Sequence, residues 1–452
     1  MTHIEVEKQV IKQITPTIAY RNKVQKVTKE IWRKIEREIK ERKLPVTVEL
    51  VGSIAKDTYL QDDMDIDFFI CFPTNHTKQI IAKYALSIGK SLLTDTEESY
   101  AEHPYIRGYY DNFYVEVVPC YKIENANQKL SAVDRTPLHT KFVIENITPQ
   151  LKQEVRLFKQ FLKGINCYGA EAQIEGFSGY LCEILIIKYK KFKTLLKKAS
   201  NWKLGGKIVI KKGNYPDFYT PLVFIDPVDS NRNVASALSM EKFDLFIKAC
   251  NQYLKKPNIT FFFPNKIKPW NLKEIRKKIK EKNYKYISIK FSRPEIIDEN
   301  LYPQVRKATK SVFESCKRFD FKVYDVNYFI DKTSIFIIIK TEKKLLDKTM
   351  IHVGPPVDKL ENTEDFLKKW QNNPLIVKNP YIKDKRWYVE IKREYRDIFD
   401  FLSKEFKNLS LGKHIDKIAK KKYIILKTED LITEKLRVYW TKYLDGKMSW
   451  ER

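Results

Sequence analysis

"DDMDIDFFICFP", residues 62–73, sets two carboxylates one residue apart at the head of an apolar run. Side chains alternate faces along a strand, so Asp65 and Asp67 share one side while Ile66, Phe68 and Ile70 take the other. The apolar side suits a hydrophobic layer. Upstream, "PVTVELVGS" reads as a strand with Val46, Val48 and Leu50 on one face, stopping at Gly52-Ser53, where "AKDTYL" can open a helix. Downstream, "FYVEVVPCY" reads as a further strand closed by Pro119, with Val115 and Val117 on one face and Glu116 on the other. If the two strands are neighbours, Asp65, Asp67 and Glu116 converge on one patch. Such a cluster is repulsive without cations, and its hard oxygens suit octahedral Mg²⁺. Two ions bridged by these acids can activate a 3′-hydroxyl and steady a leaving pyrophosphate. Glycine allows close backbone approach, and Ser53 with the amides after it can hold a triphosphate.

The chain around this stretch has 452 residues, a length that suits about two to four domains. Its net charge of +28 calls for a polyanion, with nucleic acid ahead of anionic membrane. A hydrophobic content of 43% is ample for packed cores and excludes wholesale disorder. No run approaches the roughly 20 apolar residues that span a bilayer. The opening "MTHIEVEKQVIKQ" is polar and carries acid, unlike a signal peptide. The six cysteines are scattered without a C-x-x-C pair, which argues against zinc or a disulfide framework and suits a reducing cytoplasm. No coiled coil or apolar seam stands out, so the oligomeric state stays open, a homodimer included.

Helices are expected over "KVQKVTKEIWRKIEREIKER" and "HTKQIIAKYALSIGKSLL". After "NITPQ", Thr148 can cap a helix with Pro149 at its first position. Leu151, Val155, Phe158 and Leu162 form its apolar stripe, and Lys152, Arg156, Lys159 and Lys163 an opposite basic ridge. "GYLCEILIIKYKKFKTLLKKA" continues the helical block into a segment, Lys188 to Lys212, with ten lysines and no acid. Short strands return in "YKYISIKF", "FDFKVYDVNYFI", "SIFIIIK" and "RWYVEIK". The expected architecture is multi-domain α+β: a head of small mixed sheet and helices over 1–148, a helical middle over 149–270, and an α+β body over 271–452.

"VGSIAKDTYLQDDMDIDFFICFP" resembles the nucleotidyltransferase superfamily of DNA polymerase β, in which a turn with G-S precedes D-x-D. "EHPYIRGYY", "VEVVPCY", "SAVDRTPLHT", "CYGAEAQIEGFSGYLCEIL" and "DPVDSNRNVASALS" look like the archaeal, class I, CCA-adding enzymes, as does "HVGPPVD" at 352–358. The resemblance implies untemplated addition of C, C and A to the 3′ end of transfer RNA from CTP and ATP, with two Mg²⁺ ions. It places metal-binding catalytic carboxylates at Asp65, Asp67 and Glu116, the last a departure from the family's more common aspartate. It places triphosphate contacts at Gly52, Ser53, Lys56, Lys159 and Tyr168. Base and sugar contacts fall on Glu102, His103, Thr136, His139, Arg232 and Asn233, with Arg232 implied in base selection.

Lysines outside the head interleave with Trp202, Trp270, Tyr284 and Tyr286, a composition suited to RNA phosphates and to stacking on exposed bases. No RNA-recognition or K-homology signature appears, so backbone shape of a short duplex fits better than base readout. Two other functions compete: a poly(A) polymerase or other terminal nucleotidyltransferase, and a non-catalytic RNA-binding protein on the same scaffold. Intact Ser53, Asp65 and Asp67 argue against the last.

Overall fold

Hydroxyl caps decide where the longer helices of the N-terminal part begin. Thr17, Thr77, Thr148, Ser178 and Ser239 each accept a hydrogen bond from the backbone N–H three residues on. The computed structural model describes every residue except Met1, Asp62, Met64, Ala101 and Glu102, and of Tyr100 only the backbone. The chain forms two compact units, Met1–Lys266 with Lys447–Arg452, and Ile267–Gly446.

The first unit opens with α1 (His3–Ile14), α2 (Ile18–Glu41), β1 (Thr47–Val51), the single turn α3 (Gly52–Ala55) and β2 (Asp65–Phe72). Then come α4 (Lys78–Leu92), β3 (Thr94–Tyr100), β4 (Pro104–Tyr110) and β5 (Phe113–Tyr121). The strands form one mixed sheet in the order β1-β2-β5-β4-β3, parallel only between β2 and β5. Ile66, Phe68, Ile70, Val115 and Val117 bury one face against α2 and α4, as their alternation requires. Each such side chain contributes about 1.5–3 kcal/mol by leaving water. Val51, Phe69, Cys71, Val118 and Cys120 form a smaller cluster on the other face. That leaves the acids of β2 and β5 at the uncovered end.

The unit continues with α5 (Arg135–Asn146), α6 (Pro149–Gly164), α7 (Gly179–Tyr189), α8 (Phe192–Ala199), β6 (Gly206–Ile208), β7 (Leu222–Phe224) and α9 (Met240–Lys255). Its core is aromatic, with Phe177 and Phe246 ring centroids 4.7 Å apart. Two differences from the expected domains follow. Helix α1 buries Val6, Val10 and Ile14 in this second core, not in the head. The last six residues return here too: Trp450 stacks on Phe261 at 5.3 Å and Ser449 Oγ donates to the Gly164 carbonyl at 2.7 Å. Head and middle are therefore one unit, and the boundary with the second falls at 266/267.

The second unit runs α10 (Leu272–Glu281), β8 (Lys285–Ser292), α11 (Asp298–Arg318), β9 (Val323–Ile330), β10 (Ser334–Thr341), β11 (Thr349–Pro356) and α12 (Leu360–Trp370). It ends with β12 (Ile376–Lys383), β13 (Arg386–Lys392), α13 (Ile398–Glu405), α14 (Lys413–Ala419), β14 (Ile424–Leu426) and α15 (Arg437–Asp445). An antiparallel sheet, β14-β8-β10-β9, is covered on both faces, which is why "SIFIIIK" shows no polar alternation. A second sheet, β11-β13-β12, is backed by α12. Of the aromatics expected to stack on bases, Tyr286 is fully buried against Trp440 and Trp202 packs on Phe246. Tyr284 is half-buried, with the Lys340 ammonium 4.0 Å from its ring centre. Among the described residues no helix is long and apolar enough to cross a membrane.

Candidate active site

Strand β2 lies parallel to β5 in a register that sets Asp65 against Tyr114 and Asp67 against Glu116. The three carboxylates therefore share the sheet face that the helices leave open. Gly52 closes the back of this site. Its φ of +71° is left-handed, and a Cβ there would fall 1.8 Å from Asp67 Oδ2. Only glycine meets both demands.

Together these groups line a cleft of about 470 Å³. Gly52, Ser53, Lys56, Asp65, Asp67 and Glu116 come from the head, and Lys159, Lys163, Tyr168, Tyr180 and Glu183 from the middle. Burial, reinforced by Asp65, pushes the Asp67 carboxyl up to about 6. Burial, reinforced by Asp67, pushes Glu116 up to about 7, against the opposing pull of Arg107. Asp65 is raised as well, by burial and then by Asp63. These acids crowd negative charge that neighbouring cations relieve only in part.

The basic ridge of α6 is not a solvated face. Arg156 and Lys159 are buried and turned into the head, because Asp57 and Thr58 supply their partners. Arg156 Nε donates to the Tyr59 carbonyl at 2.8 Å and its Nη2 to the Asp57 carbonyl at 2.6 Å. Lys163 pairs with Asp63 at 3.2 Å at the cleft mouth. Beneath it Glu183 accepts from Lys56 Nζ and Thr58 Oγ1, each at 2.6 Å, and from Lys159 Nζ at 3.4 Å. Burial opposes its ionisation, yet Lys56 and Lys159 hold the Glu183 carboxyl below its usual range. Sequence reasoning missed this residue, although a lone acid inside "LCEILII" is a signal in itself.

A second constellation gathers around buried Asp226. It accepts from His139 Nε2 at 2.8 Å, Arg232 Nη1 at 2.9 Å and the Tyr180 hydroxyl at 3.1 Å. His139 stacks on Tyr180 with centroids 4.1 Å apart. Burial lowers the proton affinity of the histidine, and the hydrogen bond and charge of Asp226 oppose it. Burial opposes Asp226 ionisation, but the His139 hydrogen bond, His139 charge and the Val228 amide keep the carboxyl well below its usual range. Tyr180 also lines the cleft, so the two constellations adjoin.

Of the sequence-predicted residues, Gly52, Ser53, Lys56, Asp65, Asp67, Glu116, Lys159 and Tyr168 are brought together in the cleft. His139 and Arg232 meet at Asp226. Three others neither line the cleft nor bond to the Asp226 carboxylate. Thr136 lies half-buried in the first turn of α5. His103 is buried with its ring edge towards Tyr121 at 6.0 Å. Asn233 braces the local scaffold. Its Oδ1 accepts from the Phe224 and Ala235 amides, and its Nδ2 donates to Thr220 Oγ1 and the Leu222 carbonyl. Glu102 lies outside the described residues.

Among the described residues no three His, Cys, Asp or Glu side chains already form an ion-sized cage. The acids instead make an open wall of hard oxygens, the donor set that Mg²⁺ uses together with water and substrate phosphates. In that sense the residues present fit divalent ions.

Residues 32–139 match the family model described as a nucleotidyltransferase domain, and 153–263 that of the tRNA nucleotidyltransferase second domain. Residues 282–428 match the CCA-adding enzyme C-terminal domain. The CCA-adding enzyme of Picrophilus torridus is 36% identical over 411 residues, 91% of this chain and 93% of that one. That of Methanocaldococcus jannaschii is 36% identical over 92% of this chain and 94% of its own, and that of Methanosarcina barkeri 33% over 97% and 98%. Among solved structures, Escherichia coli MS115-1 CdnC with ATP overlays at a TM-score of 0.45 and 15% identity, covering 58% of this chain and 95% of that one. With an acid-walled cleft, three domain matches in order and such identity along nearly its whole length, this chain belongs to the CCA-adding enzyme family.

Proposed function

We infer that this cleft builds the C-C-A end of transfer RNA from CTP and ATP, one nucleotide at a time. The observation that carries the reading is the Asp67–Glu116 pairing across β2 and β5, with Gly52 held against Asp67. The primer 3′-oxygen forms a new bond to the α-phosphorus, and the bond to the β-phosphate oxygen breaks, releasing pyrophosphate.

Asp65, Asp67 and Glu116 would hold two Mg²⁺ ions, which when bound favour loss of the 3′-hydroxyl proton and offset charge on the pyrophosphate. The protein's own part is positioning and electrostatics. Gly52 keeps the turn backbone close to the acids, and Ser53 offers a hydroxyl to the phosphate chain. Lys56 from the head, and Lys159, Lys163 and Tyr168 from the facing wall, bring positive charge and donors. Arg232, His139 and Tyr180, fixed by Asp226, form the surface against which a C or A edge is read. RNA phosphates are served by the cationic excess of +28. The cysteines Cys71, Cys120, Cys167, Cys182, Cys250 and Cys316 are all free and buried, which supports a reducing cytoplasm as the working compartment.

The test uses a transfer RNA transcript ending at the discriminator base, with Mg²⁺ and labelled nucleotide. Two additions from CTP alone, and a third only when ATP joins, are expected. A long ladder from ATP alone on any RNA would replace the reading with a poly(A)-type polymerase.

A further inference from the structure

Glu183 is the one acid of α7 and is fully buried in a helix that is otherwise apolar nearly all round. A carboxylate there is costly unless paired and hydrogen-bonded. It is paired twice. Lys56 reaches it from the turn after α3, and Lys159 from α6, so one carboxylate joins the head to two helices of the middle. Thr58 completes the ring, donating to Glu183 and accepting from Lys159 at 3.1 Å.

Donor use within the ring is unequal. Lys159 Nζ spends its hydrogens on Glu183 Oε1, Thr58 Oγ1 and the Thr58 carbonyl. Lys56 Nζ makes a single hydrogen bond among the described residues, to Glu183 Oε2, and an ammonium has three donors. Both ammoniums line the same cleft as the acids. Two lysine ammoniums thus share one carboxylate, and hydrogen bonds hold both beside it.

We propose that Glu183 is a positioning residue for the incoming nucleotide's phosphates: it aims the Lys56 ammonium into the cleft and keeps the Lys159 charge beside it. The proposal rests on the cleft being the nucleotidyl-transfer site. The carboxylate touches no substrate itself. A carboxamide at this position cannot serve both lysines, because its NH₂ would face a donor on one side. Phosphate binding then suffers while the base surface around Asp226, built from other residues, is untouched.

The experiment compares wild type with Glu183→Gln and Thr58→Val, using inorganic pyrophosphate as a base-free inhibitor. For Glu183→Gln the pyrophosphate inhibition constant and the KM for CTP and for ATP should rise together by about tenfold, the worth of one charge-assisted hydrogen bond. The CTP-to-ATP preference, kcat and the KM for transfer RNA should stay within about twofold. Thr58→Val, which leaves both ion pairs, should move the same constants by about threefold and keeps the question answerable if the first variant does not fold. Folded variants with unchanged pyrophosphate inhibition would overturn the proposal, as would a general defect in which kcat falls and the KM for transfer RNA rises as well. A wild type that neither incorporates nucleotide nor responds to pyrophosphate would instead sink the functional reading of the cleft.

Discussion

Asp67 and Glu116 stand directly opposite each other across the one parallel ladder of the five-stranded sheet, and Asp67 adds to the burial that raises the proton affinity of Glu116. Burying these acids together costs stability, and bound cations would offset that cost. Replacing Asp67 by Asn keeps the shape and removes one charge. Incorporation should fall by roughly 10²–10³ or more, as when a single electrostatic group is lost from a transfer site. Thermal unfolding at pH 8 without metal should show the variant more stable by about 1–3 kcal/mol, because its ionisation no longer has to be supported. A destabilised variant would contradict this account of the cluster.

Gly52→Ala tests the close approach from the other side. The backbone conformation alone should cost about 1–2 kcal/mol. The added methyl would also occupy the place of Asp67 Oδ2. Activity should therefore drop as far as for the Asp67 variant, even where circular dichroism shows a folded chain.

Asp226→Asn and Asn233→Ala should separate the base surface from its scaffold. The first leaves Arg232 and His139 without their shared carboxylate, so misincorporation between CTP and ATP should rise by about tenfold, read on single-nucleotide gels. The second removes four hydrogen bonds to backbone and Thr220. It should lower stability by about 2–4 kcal/mol while the folded fraction keeps its nucleotide preference.

Glu7 gives a pH dependence unrelated to catalysis. Burial, then Glu154, pushes its carboxyl up to about 7, against Lys193. An acid raised in the folded state destabilises the fold above its folded value, and the penalty disappears below the unfolded one. Glu7→Gln should therefore raise the melting temperature at pH 8, and the difference should shrink as the pH falls from 7 towards 4.5.

What was legible in the sequence was local. The alternation of Asp65, Ile66, Asp67 and Phe68, and that of Val115, Glu116 and Val117, fixes faces within a strand without any knowledge of the partner. Thr148-Pro149 marks a helix start for the same reason. The rest depended on partners far along the chain. Glu183 finds Lys56 across 127 positions, and His139 finds Asp226 across 87. Nothing in the periodicity of α6 says that Arg156 and Lys159 face a carboxylate and carbonyls rather than water. Asn233 shows a further limit: the motif that contains it says nothing of the four hydrogen bonds its amide makes to backbone and to Thr220.

The return of Ser449 and Trp450 to Gly164, Gln252 and Phe261 makes the first unit discontinuous, with Ile267–Gly446 spliced into it as an insert. The returning segment ends beside the point of departure: Asn265 Nδ2 donates to the Arg452 carbonyl at 2.8 Å. Because the entropy of closing a loop grows only logarithmically with its length, a short glycine-serine bridge in place of the insert should cost the first unit little. At the level of the gene, the first unit is thus written in two pieces, and its last six codons belong with its first 266.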